Sequence, residues 1–197
     1  EISDDEIKKA IDGEKLAGFC DISEVVAPEF IAERLAGGIV IGRAAGRMEF
    51  GARALGNRSI LADPRDRALV DRINRIIKMR DFWMPFAPVV LDKYWGKYLR
   101  NEKGHFSPYM TMGFETTETG EKDMAAAIHF SDKTTRPQML VRETNPGYYG
   151  IIEEFEKITG VGALLNTSFN LHGHPIVRCA ADAVWVFLNS DLDALQI

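Results

Sequence analysis

The order of short apolar runs and longer amphipathic stretches in this 197-residue chain predicts an α/β protein, a layered sheet with helices packed on its faces. Three observations carry that prediction. The runs "GIVIGR" (38–43), "RSILAD" (58–63), "FAPVVL" (86–91) and "VGALLNTSFN" (161–170) are strand-length and apolar. The stretch "DPRDRALVDRINRIIKM" (63–79) sets Leu69, Val70, Ile73, Ile76 and Ile77 in one helical stripe. The two kinds of segment alternate along the chain, with no internal repeat or low-complexity tract.

Taken in order, "SDDEIKKAI" opens a short helix, with Ser3 as cap and Glu6 completing a capping box. Residues 1–27 are acidic and weakly patterned, and read as a tail or linker. "PEFIAERLAGG" (28–38) is a helix stopped at Gly37. In the helix of 63–79, Asp63 is the expected N-cap and Pro64 suits the first turn. Arg67, Arg72, Arg75 and Lys78 lie off its apolar stripe. A short helix is expected near 92–99, a strand over 108–115, a helix over 122–130 and a strand over 138–143. "NPGYYGIIEEFEKITG" (145–160) has an Asn cap, Pro in the first turn and a terminal Gly160. A helix over 180–190 and a strand over 194–197 close the chain.

Length and composition place the chain among ordinary soluble domains, with 46% hydrophobic and 27% charged residues. No apolar run approaches the ~20 residues of a membrane helix. Cys20 and Cys179 form neither a disulfide framework nor a zinc spacing, which fits a reducing cytoplasm. The chain starts at Glu1 rather than a methionine, which suggests a piece of a longer protein.

The net charge is −5, yet the segment 43–80 holds nine of the fourteen arginines and Lys78 against four acids, Glu49, Asp63, Asp66 and Asp71, a local +6. The acidity of the whole argues against bulk nucleic-acid binding, but not against a small anion in a local pocket. Arginine forks bind phosphate oxygens in pairs, and glycines admit an anion to backbone N–H groups. Arg47, Arg53 and Arg58, set among glycines in "GRMEFGARALGNRSILADPR" (46–65), are therefore anion-site candidates, with Glu49 placed to neutralise or orient one of them. The other reading is a solvated surface of scattered ion pairs.

Lys78 and Arg80 stand two apart at the end of the basic helix, where cations also suit the helix C-terminus. In "LLNTSFNLHGHPI" (164–176) an apolar strand gives way to Asn166, Thr167, Ser168 and Asn170, side chains that suit ribose, phosphate or a carbamoyl group beyond a strand end, and that also make turns. His172 and His174 have no third ligand nearby, so no metal site is expected. His129 near Arg136 is a site residue or a helix-end histidine. No catalytic triad or carboxylate pair is evident, and the polar and cationic residues suit phosphoryl or nucleotidyl chemistry.

Four segments in this order, "GRMEFGARALGNRSILADPR", "FWMPFAPVVL", "TTRPQML" and "GALLNTSFNLHGHPIV", resemble the C-terminal domain of the nodulation-type and antibiotic-type O-carbamoyltransferases. A weaker similarity reaches the YrdC-like threonylcarbamoyl-adenylate synthases, whose Lys-x-Arg and Ser-x-Asn pairs frame the nucleotide site. Lys78 and Arg80 resemble the first pair, Ser168 and Asn170 the second. The resemblance implies a YrdC-like twisted open mixed sheet over 28–197, with 1–27 leading from a preceding domain. It implies binding of ATP, with Mg2+, and of carbamoyl phosphate, and formation of carbamoyl-adenylate. A Kae1-like domain of the same full-length chain would then pass the carbamoyl group to an acceptor hydroxyl. In that picture Lys78, Arg80 and Arg53 are catalytic. Arg47, Arg58, Arg136, Asn166, Thr167, Ser168 and Asn170 hold substrate and nucleotide. Ala52 stands where the family often has Pro, and His174 where many members carry Glu. The competing expectations are a non-catalytic nucleotide- or RNA-binding module and an interaction domain for an acidic partner.

Overall fold

The computed structural model describes residues 1–14, 16, 19–24, 27–79 and 84–197. Helix α1 (Asp4–Gly13) begins at Ser3, whose hydroxyl accepts from the Glu6 N–H. The expected reciprocal bond is not made: the Glu6 carboxylate instead accepts from the Ala180 N–H, 3.1 Å away. Helix α2 (Pro28–Ala36) leads into β1 (Ile41–Ala44), and β2 (Arg58–Ala62) returns antiparallel to it.

Helix α3 (Ala68–Ile73) starts later than expected. Asp63 is buried and accepts from the backbone and guanidinium of Arg65, so Asp66 takes the helix start, accepting from Ala68 N–H at 2.8 Å. Helix α3 continues as a π-helix, Asn74–Lys78. Next come β3 (Ala87–Leu91), α4 (Trp95–Tyr98), β4 (Phe114–Glu115) and α5 (Glu118–Asp123). The strand expected over 108–115 shrinks to β4 because Met110 takes φ +55°, off the extended region. The helix expected over 122–130 is displaced to α5, capped by Thr117, whose hydroxyl accepts from Gly120 N–H. The chain closes with β5 (Thr134–Thr135), β6 (Gln138–Leu140), α6 (Pro146–Thr159), β7 (Ala163–Ser168), α7 (Ala180–Leu188) and β8 (Ala194–Gln196). Helix α6 matches its sequence signals: Asn145 caps Tyr148 N–H, Pro146 occupies the first turn, and Gly160 ends it at φ +77°.

Six strands form one mixed sheet in the order β6-β3-β7-β2-β1-β8. The outer pairs β3–β6 and β1–β8 are parallel, the inner pairs antiparallel. Alternation along β2 sends Leu61 into one apolar layer, with Leu35, Tyr148, Ile152 and Phe155 of α2 and α6. Ile60 and Ala62 enter the other, with Ile73, Ile77, Val186 and Phe169. Helix α1 packs on α7 through Ala10, Ala180 and Val184, so residues read as a tail contribute to the packed body. Among the described residues no helix is long and apolar enough to cross a membrane.

Candidate functional site

The basic segment separates into groups once folded. Arg65 and Arg72 pair with acids: Arg65 holds Asp63 at 2.6 Å, and Arg72 holds Asp193 at 2.5 Å. Arg67 lies over the ring of Phe130, 4.3 Å from its centroid. Arg43 is buried, donating to the Gly56 carbonyl at 2.8 Å and to Gln196 Oε1 at 2.5 Å. Burial lowers its pKa, opposed by Tyr148 and Glu49 nearby. Of these, Arg65 and Arg72 make the ion pairs of the solvated-surface reading, whereas Arg43 is buried and Arg67 lies on a ring.

Arg58, expected to hold substrate, is turned inward. It is 1% exposed, and its guanidinium donates to the carbonyls of Ala45, Gly46, Asn57 and Arg178 at 2.7–3.5 Å. Both terminal nitrogens face backbone oxygens and Nε is buried without a partner, so in this structure the Arg58 guanidinium frames the loop. Glu49 acts on the same loop from the other side. Its Oε1 accepts from the N–H groups of Leu55 (2.7 Å), Asn57 (2.7 Å) and Arg58 (3.2 Å). It organises backbone and makes no ion pair with an arginine among the described residues. Gly56 completes the arrangement at φ +114°, where a Cβ would fall 2.2 Å from the Tyr148 ring.

On this frame Arg47 and Arg53 are exposed. Arg53 and Arg136, which precedes β6, are near enough that the Arg53 charge, after the larger effect of desolvation, lowers the Arg136 pKa. Among the described residues none of Arg47, Arg53 and Arg136 has a carboxylate within ion-pairing distance. Like charges brought together without an acid form a place for an anion.

Asn166 ties this loop to the sheet. Its Nδ2 donates to Ala54 O at 3.1 Å and Gln138 Oε1 at 3.3 Å, while Gln138 Nε2 donates to Leu55 O at 3.0 Å. Two acceptors facing Nδ2 settle which way the amide points. Its Oδ1 is left buried without a hydrogen-bond donor. Sequence reasoning passed over Gln138. A polar residue opening the short buried run "QML" was the available signal. Thr167 pairs with Ile60 across the β7–β2 ladder. By alternation it lies on the opposite face from Asn166 and Ser168, so the structure does not bring its side chain to theirs.

Two residues beyond Asn166 the strand meets Lys78. The lysine, expected off the apolar stripe, is 2% exposed. The wider π turn rotates it inward relative to an α-helix. Its Nζ donates to Ser168 O (2.5 Å), Ser168 Oγ (3.1 Å), Asn170 Oδ1 (2.7 Å) and Asn170 O (3.3 Å). Residues 90 positions apart in sequence thus meet at one amine. Met79 then takes the left-handed conformation, φ +44°, which is strained for a methionine. Arg80 lies outside the described residues. Ala87, at the start of β3, pairs with Asn166, so the segment between Lys78 and β3 returns to the same strand end.

His129 Nδ1 sits 2.9 Å from Asp132, and His174 packs on Trp185. Among the described residues no three His, Cys, Asp or Glu side chains are grouped to hold a metal ion.

A mixed sheet with helices on both faces and a cationic, amide-lined strand end defines an α/β domain. Residues 32–197 match the family described as Carbamoyltransferase C-terminus, and the chain belongs to that family. It is 46% identical to nodulation protein NolNO of Sinorhizobium fredii over 168 residues, covering 84% of this chain and 24% of that protein. The chain spans between 24% and 33% of the length of the first four curated relatives it matches. Two solved structures share the fold. One is full-length HypF in a phosphate- and nucleotide-bound form, with a TM-score of 0.58 at 17% identity over 89% of this chain and 25% of that one. The other is a variant of P. abyssi Sua5, with a TM-score of 0.58 at 15% identity over 88% of this chain and 50% of that one. Both are YrdC-like, and so is the sheet described above.

Proposed function

We propose that this domain binds ATP and carbamoyl phosphate and forms carbamoyl-adenylate. One observation carries the reading: Asn166 joins the loop that bears the exposed Arg53, and the strand that follows the exposed Arg136, to the Lys78, Ser168 and Asn170 cluster. Two anion-seeking groups thus flank one amide. The arginines bind the phosphoryl group of carbamoyl phosphate, with Arg47 at the rim. Lys78 lends its buried positive charge to the nucleotide phosphates and stabilises charge on the departing pyrophosphate, a role shared with Arg80. The unpaired Oδ1 of Asn166 accepts from the carbamoyl N–H. Ser168 and Asn170 hold the lysine amine in line. The reaction balances as carbamoyl phosphate, ATP and one water giving carbamoyl-adenylate, phosphate and pyrophosphate.

Magnesium enters with ATP as part of the substrate. A Kae1-like domain of the full-length chain then passes the carbamoyl group to an acceptor hydroxyl. The family match and the shared fold with a nucleotide-bound HypF support this assignment.

Pyrophosphate release by this chain, with ATP and magnesium and with or without carbamoyl phosphate, tests it. Release that needs both substrates is expected. Absence of release despite ATP binding would favour the second reading, a non-catalytic nucleotide-binding module.

A further inference from the structure

The nucleotide reading leaves His172 without a role, although it is the next polar side chain after Asn170 in "SFNLHGHP". The last carbonyls of a helix lack internal donors and need partners from outside. Here the helix end is the π-helix carrying Lys78, and the partner is the loop after β7. The His172 N–H donates to Ile77 O at 3.1 Å. Its ring Nδ1 lies 2.9 Å from Lys78 O. A carbonyl has only lone pairs, so Nδ1 carries the hydrogen and donates. One histidine therefore satisfies the final two carbonyls of the helix, and the chain turns sharply at Met79 immediately afterwards.

The same loop holds the lysine from both ends. Ser168 and Asn170 hold the amine, and His172 holds the main chain from which that amine extends. Asn170 in turn donates through Nδ2 to Leu171 O at 3.0 Å and His174 O at 2.8 Å, bracing the loop around His172.

We propose that His172 is a positioning residue for Lys78. Its ring fixes the helix end so that the amine meets Ser168 and Asn170. This rests on the assignment of Lys78 to the nucleotide phosphates. An asparagine places Nδ2 where histidine places Nδ1, whereas glutamine reaches further and mimics Nε2 instead. The side-chain donor, not bulk, is the feature that matters.

The test uses the full chain with His172→Ala, His172→Asn and His172→Gln. ATP affinity, inorganic phosphate affinity and the rate at which a lysine-selective acylating reagent modifies Lys78 are measured, the last by mass spectrometry. His172→Ala is expected to weaken ATP binding about fivefold, the loss of one hydrogen bond. It should also speed acylation of Lys78 and leave phosphate binding unchanged. His172→Asn should restore the ATP and acylation values, and His172→Gln should not. Wild-type acylation and ATP binding in His172→Ala would overturn the proposal. So would equal loss of ATP and phosphate binding without rescue by asparagine, which marks a structural role only. A wild-type chain that binds no ATP would remove the nucleotide assignment, and the acylation rates would still decide whether His172 positions the lysine.

Discussion

Arg58 and Arg53 stand in the same loop, among the same glycines, with opposite fates. Arg58 reaches four backbone carbonyls and is closed from solvent. Arg53 is exposed and near enough to a second arginine, Arg136, for its charge to be felt there. Neither makes an ion pair among the described residues, so residue type and charge count do not separate them. The difference is geometric. Arg58 opens β2 and points into the layer beneath α7, where the Arg178 carbonyl and the turn at 45–46 present oxygens without donors. Arg53 follows Gly51, on the part of the loop that Glu49 and Asn166 hold outward. One arginine builds the loop and the other is displayed by it.

Four measurements break or sharpen that contrast. Arg58→Ala strands buried carbonyls and should lower the unfolding free energy by about 3 kcal/mol in chemical denaturation. Arg58→Lys should rescue little of this, because one ammonium cannot span carbonyls on four residues. A fully stable Arg58→Ala would sink the scaffold role. Arg53→Ala should do the reverse. Its stability stays within ~0.5 kcal/mol, while carbamoyl-phosphate-dependent pyrophosphate release falls ~100-fold. An unchanged rate would take Arg53 out of the site.

Gly56→Ala must place a methyl against the Tyr148 ring at a positive φ, and should cost about 2 kcal/mol, read as a lowered Tm. If Tm holds, the loop is not clamped there and Arg53 is less firmly presented than its neighbours suggest. The smallest effect lies away from the loop. A hydrogen bond from Lys93, 2.9 Å long, is the main reason the Glu156 carboxyl sits below its ordinary 4.5. A depressed carboxylate contributes stability above its unfolded value and loses it as pH falls through the folded one. Glu156→Gln should therefore flatten the Tm profile slightly below about pH 4.5, and leave pyrophosphate release at neutral pH unchanged. A change in that rate would extend the site to α6.

Much of the sheet was legible in advance, because strand-length apolar runs and capped helices are local signals. Helix α6 carried cap, proline and terminal glycine in its own sequence. The helix expected from Asp63 was misplaced because the neighbouring Arg65 claimed the carboxylate of the buried Asp63. Lys78 with Ser168 and Asn170 was identifiable through the family resemblance. Spacing alone suggested a helix-end cation, since a π turn leaves no clear trace in apolar periodicity. Glu49 was read against the neighbouring arginines, yet it binds three N–H groups of the backbone. Gln138 went unnoticed because its partners, Leu55 and Asn166, are distant in sequence.

By itself, then, the sequence determined the alternation of strands and helices, the concentration of cations in one segment and the presence of the amide-rich strand end. Each of these follows from residues that are near neighbours along the chain. Only the tertiary structure decided which cations are scaffold and which are open, how Lys78 is held by a strand end 90 residues away, and which face of β7 Asn166 and Ser168 share. Those outcomes depend on which donors meet which acceptors once the layers close. A buried guanidinium goes to whatever carbonyls the fold leaves without partners, and no local pattern records where those carbonyls are.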